Sequence, residues 1–480
     1  MHKQPACTKI VATVGPASET PEMIGRLIEA GVDVFRLNFS HGDHETHFRA
    51  IETIRKAAGT GHHVAIMQDL QGPRIRTGLL KSGRQVELKQ GDTLTLQAGN
   101  FAGDGTTIAV NYDRLARDLR KDDRVLLCDG LIELCVVSSD ATRARCRVIA
   151  GGMLGEHKGI NLPGVKLSIS APTEKDIQDL RFGLDNGVDY VALSFVGAAG
   201  DVNRLKEEMA DYKGHTGIVP VIVKIERPEA IDRLEEILAV SDGVMVARGD
   251  LGIEVPAEIV PVVQKRIIRT ANEMGLPVIT ATQMLDSMIR APRPTRAEAS
   301  DVANAILDGT DAVMLSGETS VGSYPEKAVR MMNSIAATTE ELLSRKSTMI
   351  PPYADDTGAD SQRSLSHAAC TIAEQIHAAA IVCFTMTGST ACSISQRRPP
   401  VPIYALTPDG HTCCRLSLLW GVCPVMLSVF HSTDEMIQQG ERRLLELNLT
   451  GPGDTVVCVA GGATNTPGGT DMLKIHRFPG

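Results

Sequence analysis

Between residues 9 and 315, eight short apolar runs alternate with amphipathic, helix-forming stretches. The apolar runs cover 9–14, 33–38, 63–68, 190–195, 220–225, 243–247, 277–280 and 312–315. Helical periodicity marks 21–30, 45–58, 174–186 and 258–274. Gly31, Gly61, Gly187, Gly275 and Gly309 are placed to end helices before the next strand. The turn after the first run, Val14-Gly15-Pro16-Ala17-Ser18, lacks the glycine spacing of a dinucleotide-binding turn. Eight β/α units without that fingerprint predict an α/β fold built on a TIM (β/α)8 barrel.

The alternation is interrupted once. After Asp69, roughly 95 residues read as short alternating strands (85–88, 93–97, 124–128, 132–137), with Asp129-Gly130 as a hairpin signal between the last two. The interruption follows the third strand, at the end of the barrel where catalytic sites sit, so an all-β domain there is placed as a lid. A Pro/Asp/Ser-rich stretch, 344–361, precedes a further α/β segment with strands near 378–385, 401–406 and 455–460. The predicted organisation is a barrel over 1–70 and 167–343, an inserted lid over 71–166, and a C-terminal α/β domain over 344–480. No internal repeat is evident.

Composition limits the functions open to such a chain. Of 480 residues 43% are hydrophobic and 22% charged, ordinary for a water-soluble protein. Aromatic residues make up 3%, with Trp420 the single tryptophan, and the net charge is −9 without a long basic run. Neither nucleic acid nor an anionic membrane is therefore an expected partner. Eleven scattered cysteines form no C-x-x-C pair, and no apolar run reaches the roughly 18 residues of a membrane helix. Reduced thiols and a cytoplasmic location are expected.

Charge appears where the apolar runs end. Lys224 and Glu226 stand two residues apart in Val223-Lys224-Ile225-Glu226, so an extended backbone points both to one face. Opposite charges at the end of a buried strand are costly unless they meet a ligand or a metal. Downstream, Val246-Ala247-Arg248-Gly249-Asp250 again ends an apolar run in charge, with a glycine that admits close approach. Glu226 and Asp250 suit Mg²⁺, and Lys224 and Arg248 suit phosphate. The pattern is that of phosphoryl transfer.

Three further segments join it. Arg36, Asn38 and Ser40 share a face by the same period of two at the end of the second run. Asp69-Leu70-Gln71-Gly72-Pro73-Arg74-Ile75-Arg76 forms the hinge into the inserted domain, where Arg76 either meets nucleotide phosphates or braces the hinge. Thr282 and Ser316-Gly317-Glu318 follow the seventh and eighth runs, where hydroxyls can pass protons through water. Glu318 is equally suited to capping a helix.

In order, the blocks R-L-N-F-S-H-G, D-L-Q-G-P-x-I-R, V-K-I-E, V-A-R-G-D-L-G, T-A-T-Q-M-L, P-T-R-A-E and M-L-S-G-E-T resemble those of pyruvate kinases, from about residue 8 to 326 and more weakly beyond. The resemblance implies a homotetramer without an N-terminal extension, converting phosphoenolpyruvate and ADP to pyruvate and ATP. It implies Arg36 as the substrate-phosphate arginine, Lys224 as the transfer lysine, Glu226 and Asp250 as ligands of Mg²⁺ (or Mn²⁺ as its substitute), and Gly249 and Thr282 as phosphoenolpyruvate contacts. Asn38, Ser40, Asp69 and the Leu70 carbonyl match a K⁺ site. Asn38, Phe39, Ser40, His41, Arg76 and Lys158 match nucleotide contacts. Arg74 stands where potassium-dependent members often carry glutamate, so K⁺ dependence is expected to be weak or absent.

In the C-terminal domain, Thr385, Thr387, Gly388, Ser389 and Thr390 lie where a strand gives way to a helix, a position that favours phosphate. The resemblance makes this the site of a phosphorylated allosteric effector, a sugar phosphate or AMP. Two rivals remain. A different Mg²⁺-enolate enzyme on the same barrel would not need a lid carrying Arg76 and Lys158. A non-catalytic sensor would have lost Lys224, Glu226 or Asp250, and all three are present.

Overall fold

The structure, a computed structural model, describes residues 6–59, 61–81, 83–165, 167–214, 219–344, 361–461 and 470–479. Eight parallel strands close into a barrel: Lys9–Thr13, Val34–Asn38, Ala65–Asp69, Tyr190–Leu193, Val221–Ile225, Gly243–Ala247, Val278–Ala281 and Ala312–Leu315. Each is next to its predecessor, and the first pairs with the eighth. Every residue in these strands is buried except Asn38, which is half-buried at the mouth. Such strands read as unbroken apolar runs because helices cover the outside and packed side chains fill the inside.

The helices follow their sequence signals with small shifts. Gly31 adopts a left-handed conformation (φ 108°) after the helix Pro21–Ala30, and Gly275 does so after Val260–Met274. The second helix, His44–Ala58, ends at Gly59 rather than at the expected Gly61. The Gly59 amide closes the last turn on the Arg55 carbonyl with φ 56°, so the chain has already left the helix two residues early.

The N-terminal end of the barrel carries a repeat that the sequence does not display. Asp33, Asp189, Asp242 and Asp311 each immediately precede an even-numbered strand. Their carboxylates accept hydrogen bonds from the amides of Ile10, Ile66, Val221 and Val278 in the neighbouring odd-numbered strands, at 2.7–2.9 Å. Each is paired with a cation: Lys9, Arg55, Lys206 and Arg398 respectively. A residue-level fourfold pattern spaced over 279 positions leaves no contiguous signal.

After Asp69 the chain builds a separate β-domain before returning through the helix Glu174–Asp185 to the fourth barrel strand. It contains a six-stranded sheet and a two-stranded one over its own apolar core, including Leu94, Leu96, Val125, Leu134 and Val148. Leu127 pairs with Ile132 across the expected hairpin, where Cys128, Asp129 and Gly130 all have positive φ. The C-terminal domain has a five-stranded sheet in the order Val422–Met426, Ile403–Thr407, Ala380–Phe384, Thr455–Ala460, Met472–Arg477, the last antiparallel. Most of the 344–361 stretch (345–360) lies outside the described residues. All eleven cysteines are free, and among the described residues no helix is long and apolar enough to cross a membrane.

Candidate functional site

Four charged side chains meet at the mouth of the barrel. Arg36 comes from the second strand, Asp69 from the end of the third, Lys224 from the fifth, and Glu226 from the residue after that strand. Arg36 donates through Nε to Asp69 Oδ2 at 2.7 Å and through Nη1 to Thr13 Oγ1 at 3.0 Å. Lys224 Nζ lies 3.3 Å from Asp69 Oδ1 and 2.9 Å from Glu226 Oε1. The period-two placement of Lys224 and Glu226 is thereby realised as an ion pair. All four are at most 8% exposed.

Charge neutrality makes this burial tolerable. Burial opposes the ionised Asp69, but Lys224 and then Arg36 hold its carboxyl below the usual range. Burial likewise opposes the charge on Lys224, and Asp69 and Glu226 outweigh it, holding the ammonium above its ordinary value. Glu226 is the exception. Burial, aided by the negative charge of Asp250, pushes it up to about 7 despite Lys224.

Glu226 also has an unsatisfied atom. Oε2 accepts the Phe195 amide at 2.7 Å, whereas Oε1 is buried without a hydrogen bond, its 2.9 Å approach to Lys224 being poorly aligned for one. A buried carboxylate with only the Lys224 ammonium facing one of its oxygens, and with the charge of a second carboxylate, Asp250, acting on it, suits a hard divalent cation. Among the described residues no group of three or more metal-ligating side chains exists. Two carboxylates fit Mg²⁺, which commonly keeps water and substrate oxygens as its other ligands.

Several expected residues sit differently from their sequence reading. Asp250 is not at a strand end: it lies in the first turn of the helix Arg248–Glu254, half-buried. Arg248, expected to hold phosphate, turns away. It donates to the carbonyls of Ala281 (3.2 Å) and Thr282 (2.8 Å), and Nη1 lies 2.7 Å from Asp301. Ser40 has left the strand, which ends at Asn38, so the shared face stops there; its amide donates to Asn38 Oδ1 at 3.1 Å. Phe39 is 3% exposed and stacks on His47 at 3.9 Å, leaving its backbone, not its ring, near the mouth. Glu318 is buried, and its two oxygens accept the amides of Leu285 and Ser316, each at a helix N-terminus, at 3.0 and 2.8 Å, the capping alternative. Ser316 is half-buried.

Ser194 went unnoticed in the sequence. It follows the fourth strand, donates to the Leu70 carbonyl at 2.7 Å and accepts from Lys224 Nζ at 2.8 Å. Its position at the C-terminal end of a barrel strand was the available signal. Thr282 has φ 75° and Gln283 φ 55°, backbone conformations that cost a β-branched residue such as threonine. A Cβ on Gly249 would lie 2.6 Å from Thr282 Cγ2, so the glycine is required for the two to touch.

Between barrel and lid, a cleft is lined by Arg74, Arg227, Asp250 and Glu254, among others. Arg76 is half-buried, and burial together with Arg74 holds it below its ordinary value. His41 is exposed, and its imidazole is pushed down by partial burial and by Arg76, Arg74 and Arg36. The Lys158 side chain is exposed, while its backbone is tied to Thr77 by two hydrogen bonds of 2.9 Å. The C-terminal loop is partly self-satisfied. Thr385 and Thr390 are buried, bonded to the Gly388 amide and to Thr470, while Thr387 and Ser389 are exposed.

Comparison with known proteins agrees with this geometry. Residues 6–329 match the pyruvate kinase barrel domain, and 363–476 match the pyruvate kinase alpha/beta domain. The chain is 48% identical over 476 residues to pyruvate kinase 2 of Synechocystis sp., covering 98% of this chain and 79% of that one. Identity to the pyruvate kinase of Mycobacterium tuberculosis is 46% over 471 residues, covering 98% of each. Identity to that of Staphylococcus aureus is 46% over 478 residues, covering 98% and 80%. The chain belongs to the pyruvate kinase family.

Proposed function

We infer that the barrel mouth carries out the family's reaction, phosphoenolpyruvate and ADP giving pyruvate and ATP, through the Arg36–Asp69–Lys224–Glu226 cluster. The phosphorus–oxygen bond to the enol oxygen breaks, and a new one forms to a terminal β-phosphate oxygen of ADP. The enolate left behind takes a proton at its methylene carbon. Loose transition states of this kind gain mainly from positioning and charge neutralisation. Lys224 and Arg36 supply positive charge beside the moving phosphoryl group, and Asp69 fixes both cations. Glu226 and Asp250 would hold Mg²⁺, which supplies neutralisation of substrate oxygens when bound. Thr282, in contact with Gly249, borders the carbon that is protonated. Ser316 stands behind it, with Glu318 holding that loop in place.

The observation that carries this reading is the buried Arg36–Asp69–Lys224–Glu226 cluster at the barrel mouth, in which the lysine is held in its charged form. Asn38 to His41, Arg76 and Lys158 are proposed to meet the nucleotide, with Phe39 contributing its backbone. Asn38, Ser40, Asp69 and Leu70 would form the monovalent-cation pocket. A phosphorylated effector at the 385–390 loop, assembly as a homotetramer and a cytoplasmic location belong to the same reading, supported by family membership. A coupled assay of pyruvate formation tests it. Pyruvate should appear only with phosphoenolpyruvate, ADP and Mg²⁺ together, and production without ADP would favour another enolate enzyme.

A further inference from the structure

Arg248 has no part in the cluster, yet it is only 12% exposed in its side chain and is the first residue of the helix that carries Asp250. Its guanidinium reaches five groups elsewhere in the barrel, among them the Met284 sulfur, 2.7 Å from Nη2. Nη2 donates to the Thr282 carbonyl at 2.8 Å and Nε to the Ala281 carbonyl at 3.2 Å. Nη1 lies 2.7 Å from Asp301 and 3.4 Å from Gln264 Oε1. The two carbonyls flank the point where the chain turns into the left-handed region at Thr282 and Gln283. A β-branched residue persists there only if its surroundings hold it.

We propose that Arg248 is a positioning residue: it clamps the Ala281–Thr282 turn onto the Asp250 helix, so that Thr282 is presented to the substrate in a conformation it would not keep unaided. Three independent observations converge on this turn. The arginine holds its carbonyls, the backbone at Thr282 and Gln283 is strained, and Gly249 leaves room for the Thr282 methyl. The clamp makes one unit of Thr282 and the helix bearing a proposed metal ligand. A planar fork that spans two carbonyls and a carboxylate is suited to arginine and not to lysine.

The inference rests on the reading that Thr282 meets the substrate, and a double-mutant cycle separates the two. The set is wild type, Arg248→Gln, Arg248→Lys, Thr282→Ala and Arg248→Gln/Thr282→Ala, each checked for its thermal melt. A misplacement of about 1 Å can cost about a hundredfold. Arg248→Gln should therefore lower kcat on the order of a hundredfold, with KM for phosphoenolpyruvate changed less than about threefold, and Arg248→Lys should restore little. In the Thr282→Ala background, removing the arginine should cost less than about threefold more. Losses that multiply, a rise in KM at unchanged kcat, or full activity in Arg248→Lys would each overturn the clamp. A silent Thr282→Ala would remove Thr282 from the site and the clamp's role with it. If Arg248→Gln does not fold, Asp301→Asn loosens the same clamp. It should lower kcat about tenfold in the wild type and leave Thr282→Ala unchanged, and equal losses in both backgrounds would refute the clamp.

Discussion

Asp69 stands between two cations, Lys224 and Arg36, which hold its carboxyl ionised, and Asp69 with Glu226 in turn holds the Lys224 ammonium charged. Removing one member of such a buried set strands a charge, typically at about 3–5 kcal/mol. Lys224 and Glu226 could be read from the sequence because a period of two is a local rule. Arg248 could not: its acceptors at Ala281, Thr282 and Asp301 lie 33 to 53 residues away, so only the folded barrel shows that its donors are occupied. Arg74 adds a charge at the hinge into the lid. It lines the lid cleft together with Asp250, and its charge presses on both Arg76 and His41. Two like charges about 6 Å apart repel by about 3 kcal/mol at an effective dielectric of about 20, which would weaken K⁺ binding on the order of a hundredfold. Turnover in K⁺-free buffer with tetramethylammonium as counter-ion should thus be near its value with K⁺. Arg74→Glu should create dependence on K⁺, and strong activation of the wild type by K⁺ would reject the idea.

Elements were legible in proportion to how strongly one period ruled them. The barrel strands, apolar on both faces, were found within a residue or two. In the lid, Arg143–Ala150 escaped, although arginines 143, 145 and 147 face out and Ala144, Cys146 and Val148 face in. Small buried residues between arginines give a weak apolar signal. Val422–Met426 was missed because Pro424 argues against a strand. The 385–390 element was expected to offer hydroxyls throughout, whereas two of them are already used within the fold. Thr387 and Ser389 remain exposed and 3.3 Å apart at the start of the helix Ser389–Ser395. Ser389→Glu sets a carboxylate against a phosphate and should weaken the effector by more than about tenfold. Calorimetry over sugar phosphates and AMP measures it, and unchanged affinity for every ligand that binds the wild type would place the effector elsewhere.

At the scale of the molecule, the two ends of the barrel have separate tasks. The aspartate ring ties odd strands to even ones at the N-terminal end, and the C-terminal domain docks on that end. Arg398 supplies the cation for Asp311 at 2.8 Å and stacks on Trp420 at 4.8 Å, while Tyr190 donates to the Arg415 carbonyl at 2.7 Å. Within one chain, a signal from the proposed effector loop would have to cross the barrel to reach the mouth. The lid and the ion cluster occupy that other end, as the position of the inserted segment after the third strand implied. The ring itself was not legible, because each aspartate meets an amide of the preceding strand 21 to 123 residues back along the chain.

We propose that the buried Lys224 at the mouth moves the phosphoryl group. Lys224→Met tests it by a coupled pyruvate assay, with Mg²⁺ binding followed by calorimetry. Removing one preorganised charge-stabilising group commonly costs about 10²–10³ in turnover. Turnover should fall by at least that much. Mg²⁺ should bind as tightly as before or more so, since Glu226 loses its paired cation while Asp250 is untouched. A variant that keeps more than about a tenth of wild-type turnover would contradict the account and leave the lysine a structural role.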